Sequence, residues 1–291
     1  MSKWGDGPNA EAIEAWDTIL FDKFSRFRWL LTRGLGAHGD AAIARLAPKP
    51  GERVIDLGCG FGDTTLDLAR AVGPTGLAVG VDAARRFVEA ASADAATNDV
   101  QNTRFEARDV QTDDLGGPYD GAFSRFGVMF FASPVAAMRN VRRALVPGGR
   151  LVAAVWRRRE DNEWMYVAQQ IVEAIVPPPE THDAPTCGPG PFSMAGADLV
   201  TDQMKKAGFT AITLERHDAD LCIGRSIDEA LAIALALGPA GETIRLAGDR
   251  AEEVRPRVES ALRDAFARFE RPDGTVWGPS SVWLLGARNP D

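Results

Sequence analysis

Four short stretches carry acids and glycines at spacings able to build one ligand site. The first is Asp56-Leu57-Gly58-Cys59-Gly60-Phe61-Gly62-Asp63. Glycines at 58, 60 and 62 let the main chain turn sharply and approach a ligand more closely than residues with side chains allow. Asp56, just before them, can accept hydrogen bonds from a ligand ammonium. Asp82 follows twenty residues beyond Gly62, where a carboxylate can accept both hydroxyls of a ribose. In Asp109-Val110 a carboxylate can take an exocyclic adenine amine, and the next backbone N–H a ring nitrogen. Ser124-Arg125-Phe126 would border the reacting end.

These residues need a scaffold that brings them together. RVIDLGCG (53–60) is a compact apolar run ending in glycines, as expected of a strand buried on both faces. Further strands are predicted at 77–83, 103–110, 119–127 and 151–156, with helices at 64–72, 85–97 and 133–146 between them. Ser133 can cap the last of these helices, Pro134 suits its first turn, and Pro147-Gly148-Gly149 would stop it. Repeated strand–helix units imply a parallel sheet with helices on both faces, and such sheets bind ligands beyond the carboxyl ends of their strands. Upstream, Ile13, Trp16, Leu20, Phe24, Phe27 and Leu31 give one apolar face to a helix over 10–32, ended by Gly34, Gly36 and Gly39. A short helix over 41–46 follows.

Downstream, a helix over 162–176 ends at Pro177-Pro178-Pro179, and a Gly/Pro-rich loop covers 183–192. Ser193 can cap a helix ending at Gly208, and a sixth strand is read at 210–221. Ser226 and Glu229 form a capping box. Two helices then make a lid, Pro256 starting or kinking the second, before a last strand at 281–289. The expected fold is an α/β Rossmann-like, seven-stranded, mostly parallel sheet whose final strand inserts antiparallel. An N-terminal helical cap occupies 1–50, and a domain over 51–291 carries a lid at about 224–272.

The run VIDLGCGFGDTTLDLA, with VGVDA, EARDV, YDGAFSRFGVMFF and RALVPGGRLV in order, resembles class I S-adenosylmethionine (SAM)-dependent methyltransferases, most closely the UbiE/Coq5-like group. The resemblance covers roughly residues 50 to 156, and more weakly the C-terminal segment through PGPFSM and SVWLLGAR. It implies SAM as cofactor and S-adenosylhomocysteine as product. Asp56, Gly58 and Gly60 would hold the methionine part, Asp82 the ribose, and Asp109 with Val110 the adenine. Ser124 and its neighbours would close over the methionine part. Cys59, Asp63, Thr64, Ala83 and Phe126 complete the implied cofactor contacts.

Methyl transfer from a sulfonium is an in-line displacement, so positioning matters most and a general base is optional. Of three histidines, His38 lies behind the N-terminal helix and is the candidate base or substrate contact, although an exposed or structural loop histidine is the plainer reading. His182 reads as surface and His217 as a strand residue of core or edge. Arg125 can pair with a substrate anion or with a neighbouring acid. Phe126, Met129, Phe130 and Phe131 could wall an apolar pocket or simply pack the core, so the acceptor is read as a small organic molecule, aromatic or hydrophobic.

Two other classes remain open. Nicotinamide and flavin enzymes share a glycine turn after a strand, but space it GxGxxG. Here the spacing is GxGxG, and Asp56 and Asp63 would sit badly beside a pyrophosphate. A catalytically silent SAM-binding regulatory subunit would carry the same cofactor motifs. A formal net charge of −8 opposes a long nucleic acid as partner. Cys59, Cys187 and Cys222 form no CxxC pair, so no metal site is expected and a reducing cytoplasm suits the chain. The polar N-terminus lacks a signal-peptide pattern, and no apolar stretch is long enough to span a bilayer. A homodimer is compatible with the sequence.

Overall fold

The computed structural model describes residues 7–176, 190–248 and 250–291. The expectations for His182, Cys187 and most of the loop at 183–192 fall outside these residues. Seven strands form one sheet: β1 (Arg53–Leu57), β2 (Leu77–Asp82), β3 (Thr103–Ala107), β4 (Tyr119–Arg125), β5 (Leu145–Trp156), β6 (Thr210–Gly224) and β7 (Val276–Arg288). Their order is β3-β2-β1-β4-β5-β7-β6, with β7 antiparallel to both neighbours. The chain builds outwards from β1 to β3, then returns to place β4 on the other side of β1. That reversal opens a crevice at the carboxyl ends of β1 and β4.

Crossover helices α4 (Asp63–Val72), α5 (Arg85–Thr97) and α6 (Pro134–Ala144) cover the parallel half. Val54 and Ile55 of β1 have no exposed surface, as a strand packed on both faces requires. On α6, Ala137, Met138, Val141 and Ala144 are buried at helical spacing. Burying one such side chain as large as Met138 stabilises the fold by about 1.5–3 kcal/mol.

Several boundaries differ from the sequence expectations, each for a tertiary reason. The N-terminal helix is not continuous. It divides into α1 (Ala10–Ala15), a π-helical turn at Trp16–Leu20, α2 (Phe21–Arg26), a second π turn at Leu30–Gly34, and α3 (Gly36–Leu46). Trp16, Phe21 and Phe24 pack on Phe61, Ala84 and Phe87, whereas Phe27 and Leu30 enter the main core. One straight helix cannot serve both surfaces. Gly36 and Gly39 lie inside α3 rather than ending a helix, and a Cβ on Gly39 would meet the Arg125 stem at 3.1 Å.

β3 stops at Ala107, because Asp109 folds the next residues into a turn: the N–H groups of Thr112 and Asp113 donate to its carbonyl. α6 ends at Ala144, before Pro147, since β5 already begins at Leu145. Ser193 does not cap a helix; its hydroxyl donates to the Met129 carbonyl at 2.5 Å, and α8 (Ala197–Ala207) starts later, after Gly196. Ser133 stands at the start of α6 without a side-chain capping bond.

After β5, α7 (Glu163–Ile175) packs on β7. The insertion between β6 and β7 holds three helices rather than two: α9 (Ile227–Ala236), α10 (Gly238–Leu246) and α11 (Arg250–Phe266), with Pro256 inside α11. The capping residue is confirmed, with the Ser226 hydroxyl accepting from Glu229 N–H at 3.2 Å. Glu229's carboxylate reaches back to the Arg225 N–H. Among the described residues no helix is long and apolar enough to cross a membrane.

Candidate active site

Asp56, at the tip of β1, is buried, and its Oδ2 accepts from the hydroxyls of Thr64 and Thr65, both at 2.7 Å. Its Oδ1 is equally buried and has no partner among the described residues. Burial pushes the Asp56 carboxyl up to about 6, against the two threonine hydrogen bonds and the nearby Arg125 charge. A buried carboxylate oxygen without a donor is costly unless a ligand supplies one. An ammonium fits that need.

The three glycines after Asp56 all have positive φ, but for different reasons. A Cβ on Gly58 would meet Gly127 Cα at 2.7 Å, and one on Gly62 would meet Ala91 Cβ at 2.7 Å. Gly60, by contrast, has nothing within 4 Å of where a Cβ would stand. Two glycines serve packing, and the middle one leaves open space for a ligand to approach.

At the tip of β2, Asp82 accepts from Gly60 N–H at 3.0 Å and Ala84 N–H at 2.9 Å. Burial raises its pKa to about 6, opposed by those two amides. Beyond β3, Asp109 Oδ1 accepts from Gln111 N–H at 2.9 Å, and Oδ2 from Asn9 Nδ2 at 2.7 Å and Thr112 at 3.1 Å. Val110 is buried, and its N–H has no hydrogen-bond partner among the described residues. Asp56, Asp82 and Asp109 therefore stand at the same ends of three neighbouring parallel strands, β1, β2 and β3.

Other expected site residues take supporting places. The Thr64 hydroxyl is spent on Asp56. Ser124 is buried, donates to the Leu57 carbonyl at 2.7 Å and accepts from Gly127 N–H, so it ties β4 to β1 rather than offering its hydroxyl. Burial drives the Cys59 thiol well above its usual range, which makes it a small inert residue in a tight turn. Ala83 lies half-buried beside Asp82.

For the two candidate catalytic residues the structure shows the structural alternatives. Arg125 pairs with Asp63 at 2.8 Å, so its charge is already matched by a neighbouring acid. His38 has no exposed surface and both ring nitrogens are engaged: Nε2 with Ser280 Oγ at 2.8 Å, Nδ1 with His217 Nδ1 at 3.0 Å. Ser280 gives its proton to the Ala219 carbonyl, so Nε2–H of His38 donates and its Nδ1 accepts from His217. Burial, then His217, lowers the His38 pKa to about 4. A neutral histidine locked at both ends is not a base open to a substrate.

Phe126 has φ of 63°, a strained conformation for a residue with a side chain. Its ring stacks on Trp156, centroids 4.1 Å apart, and His38 meets both rings edge-on. This aromatic corner sits beside Arg125 at the tips of β4 and β5. Sequence reading missed how Asn9, Asp17 and His217 join the site region. Asp17 accepts from the Arg86 N–H at 2.7 Å, at the start of α5. Asp17 stood as a polar residue in an otherwise amphipathic segment, which does not name a partner, and Asn9 and His217 carried no local signal of theirs.

Residues 48–183 match the family model of a methyltransferase domain. Nocamycin O-methyltransferase of Saccharothrix syringae is 29% identical over 183 residues, covering 60% of this chain and 65% of that protein. The 2-phytyl-1,4-naphtoquinone methyltransferase of Trichormus variabilis is 29% identical over 155 residues, covering 52% of this chain and 66% of its own. The chain thus spans less than two thirds of the length of these relatives. In fold it is similar to the YcgJ protein of Bacillus subtilis, with a TM-score of 0.57 at 17% identity, covering 88% of this chain and 99% of that one. Sheet order and these likenesses give the chain the α/β Rossmann-like methyltransferase fold, and its residues 48–183 are similar to class I SAM-dependent methyltransferase domains. Within that class the likeness is to the UbiE-like group.

Proposed function

We propose that the protein transfers a methyl group from SAM to a small organic acceptor. The observation that carries this reading is the buried, partnerless Oδ1 of Asp56, set at the tip of β1 beside the open space over Gly60. When bound, SAM supplies a methyl group on a sulfonium, already a good leaving group. Asp56 would accept the ammonium of the methionine part, Asp82 the ribose hydroxyls, and Asp109 with the free Val110 N–H the adenine edge. Gly58, Gly60 and Cys59 would line the approach, with Asp63 and Thr64 fixing the floor beneath it. Phe126 would border the sulfonium end.

The acceptor would lie by the Phe126–Trp156 corner, between cap and insertion helices. Its apolar rings favour an aromatic or hydrophobic molecule and exclude water from the displacement. His38 at this corner has both ring nitrogens engaged, which suits an acceptor that arrives ionised or needs only positioning. The relatives' names, an O-methyltransferase and a naphthoquinone methyltransferase, agree with a small acceptor. The net charge of −8 disfavours nucleic acid, and the free thiols of Cys59 and Cys222 fit the cytoplasm.

Calorimetric titration with SAM, S-adenosylhomocysteine and NADH tests the cofactor; labelled-methyl transfer to phenols, quinols, carboxylic acids and amines tests the reaction. Binding of the first two ligands without NADH, and label in one acceptor class, is expected. NADH binding in their place would overturn the cofactor reading. Tight SAM binding with no labelled acceptor would favour a silent regulatory subunit.

A further inference from the structure

We infer that Asn9 is a gate on the adenine end of the cofactor site, holding the N-terminal cap closed until a ligand amine replaces it. This rests on the SAM-binding reading above. Asn9 is buried, and its side-chain amide donates to Asp109 Oδ2 at 2.7 Å. That is the same kind of bond, an N–H2 group on a carboxylate, that the exocyclic amine of adenine would make there. Thr112 also donates to Oδ2, at 3.1 Å, so the oxygen's two acceptor positions are filled. Beside it, Val110 N–H is left without a partner. Asn9 thus satisfies the donor half of an adenine edge and leaves the acceptor half unmet.

The position of Asn9 supplies a second, independent argument. It precedes α1 at the N-cap position, where asparagine is among the strongest capping residues, yet makes no side-chain capping bond. Its backbone carbonyl accepts from Ile13 N–H, while its side-chain carbonyl accepts from Ala132 N–H at a long 3.4 Å. Displaced from Asp109, the same side chain can turn back and cap its own helix. Asn9 then has two hydrogen-bonded states, one closing the cap over the β3 and β4 tips and one releasing it. Beyond this pin, Asp17 on the Arg86 N–H holds the cap at the ribose end, next to Asp82. Adenine arrival breaks the first pin and leaves the second.

The test measures S-adenosylhomocysteine affinity in the wild type and in Asn9→Ala, with amide hydrogen exchange of Ala132, whose N–H donates to the Asn9 side chain, in the wild type. Removing the competing amide should tighten binding by roughly three- to tenfold, and ligand should speed exchange of the Ala132 N–H while slowing it around Asp82. Wild-type binding with Asn9→Ala no tighter would overturn the gate and leave the cofactor reading standing. Absence of binding in both proteins would sink the cofactor reading itself. Should Asn9→Ala fail to fold, the wild-type exchange decides alone: faster exchange of the Ala132 N–H on ligand supports the gate, and unchanged or slower exchange overturns it.

Discussion

At the residue scale, the site rests on buried titratable groups whose pKa values move in opposite directions. Asp56 and Asp82 are raised to about 6, and in the proposed roles each would have to be ionised to accept an ammonium or a pair of hydroxyls. Ligand affinity should therefore fall as pH drops below about 6, by up to about tenfold per unit for each group. Calorimetry at pH 5 and pH 7 checks this, and S-adenosylhomocysteine should bind at least about tenfold more weakly at the lower value. Substituting Asp82 by Ala should weaken binding more than about tenfold, through loss of a charge-assisted two-hydroxyl contact; unchanged affinity in a folded variant would contradict it. His38 bears on stability rather than on binding. With its pKa held down to about 4 from 6.5, the unfolded chain takes up a proton that the folded one refuses, so stability falls as pH falls through that window. The two acids act oppositely: folded, they keep protons between 3.8 and about 6 that the unfolded chain releases, so their effect on stability falls as pH rises. Urea unfolding of His38→Gln should show a flatter acid loss than the wild type, by about 3 kcal/mol at most.

At the element scale, the reversal between β1 and β4 depends on two backbones in contact. Gly58 and Gly127 approach so closely that a Cβ on Gly127 would lie 2.4 Å from the Leu57 carbonyl oxygen and 2.8 Å from Gly58 Cα. No flexible side chain stands there to give way, so Gly127→Ala should cost about 1–3 kcal/mol in denaturant unfolding and loosen the turn that carries Gly60. The run of strands, the glycine turn and the helix after β4 were legible because each is a local pattern: apolar runs, breakers and helix-starting residues. The N-terminal segment was not. Its apolar period fits one helix, but Phe24 and Phe27 must reach different cores, and only those cores show where the helix breaks. Ser193 was read as a cap for the same reason: its residue type suits the role, whereas its hydroxyl serves the Met129 carbonyl of another segment.

At the scale of the whole molecule, the cap and the insertion meet over the strand tips. Trp29 Nε1 donates to Glu229 at 2.9 Å, across 200 residues of sequence, and a Cβ on Gly34 would strike the Cys222 carbonyl at 2.7 Å. Trp29→Phe keeps the ring and removes the donor, so it should lower stability by about 0.5–1.5 kcal/mol, read as a shifted urea midpoint. A shift no different from a surface substitution would show that the two segments are not coupled there. The sequence by itself determined the class of fold and the placing of three acids at strand ends, because Asp56, Asp82 and Asp109 each follow their own strand at short range and the strands' order carries them to one edge. Tertiary structure alone decided what the lone polar residues do. Arg125 found Asp63, His38 found His217 and Ser280, and Asn9 found Asp109 across 100 residues. A hydrogen bond or ion pair between distant segments leaves no periodic trace in either one, so its partner is set only when packing brings the two together.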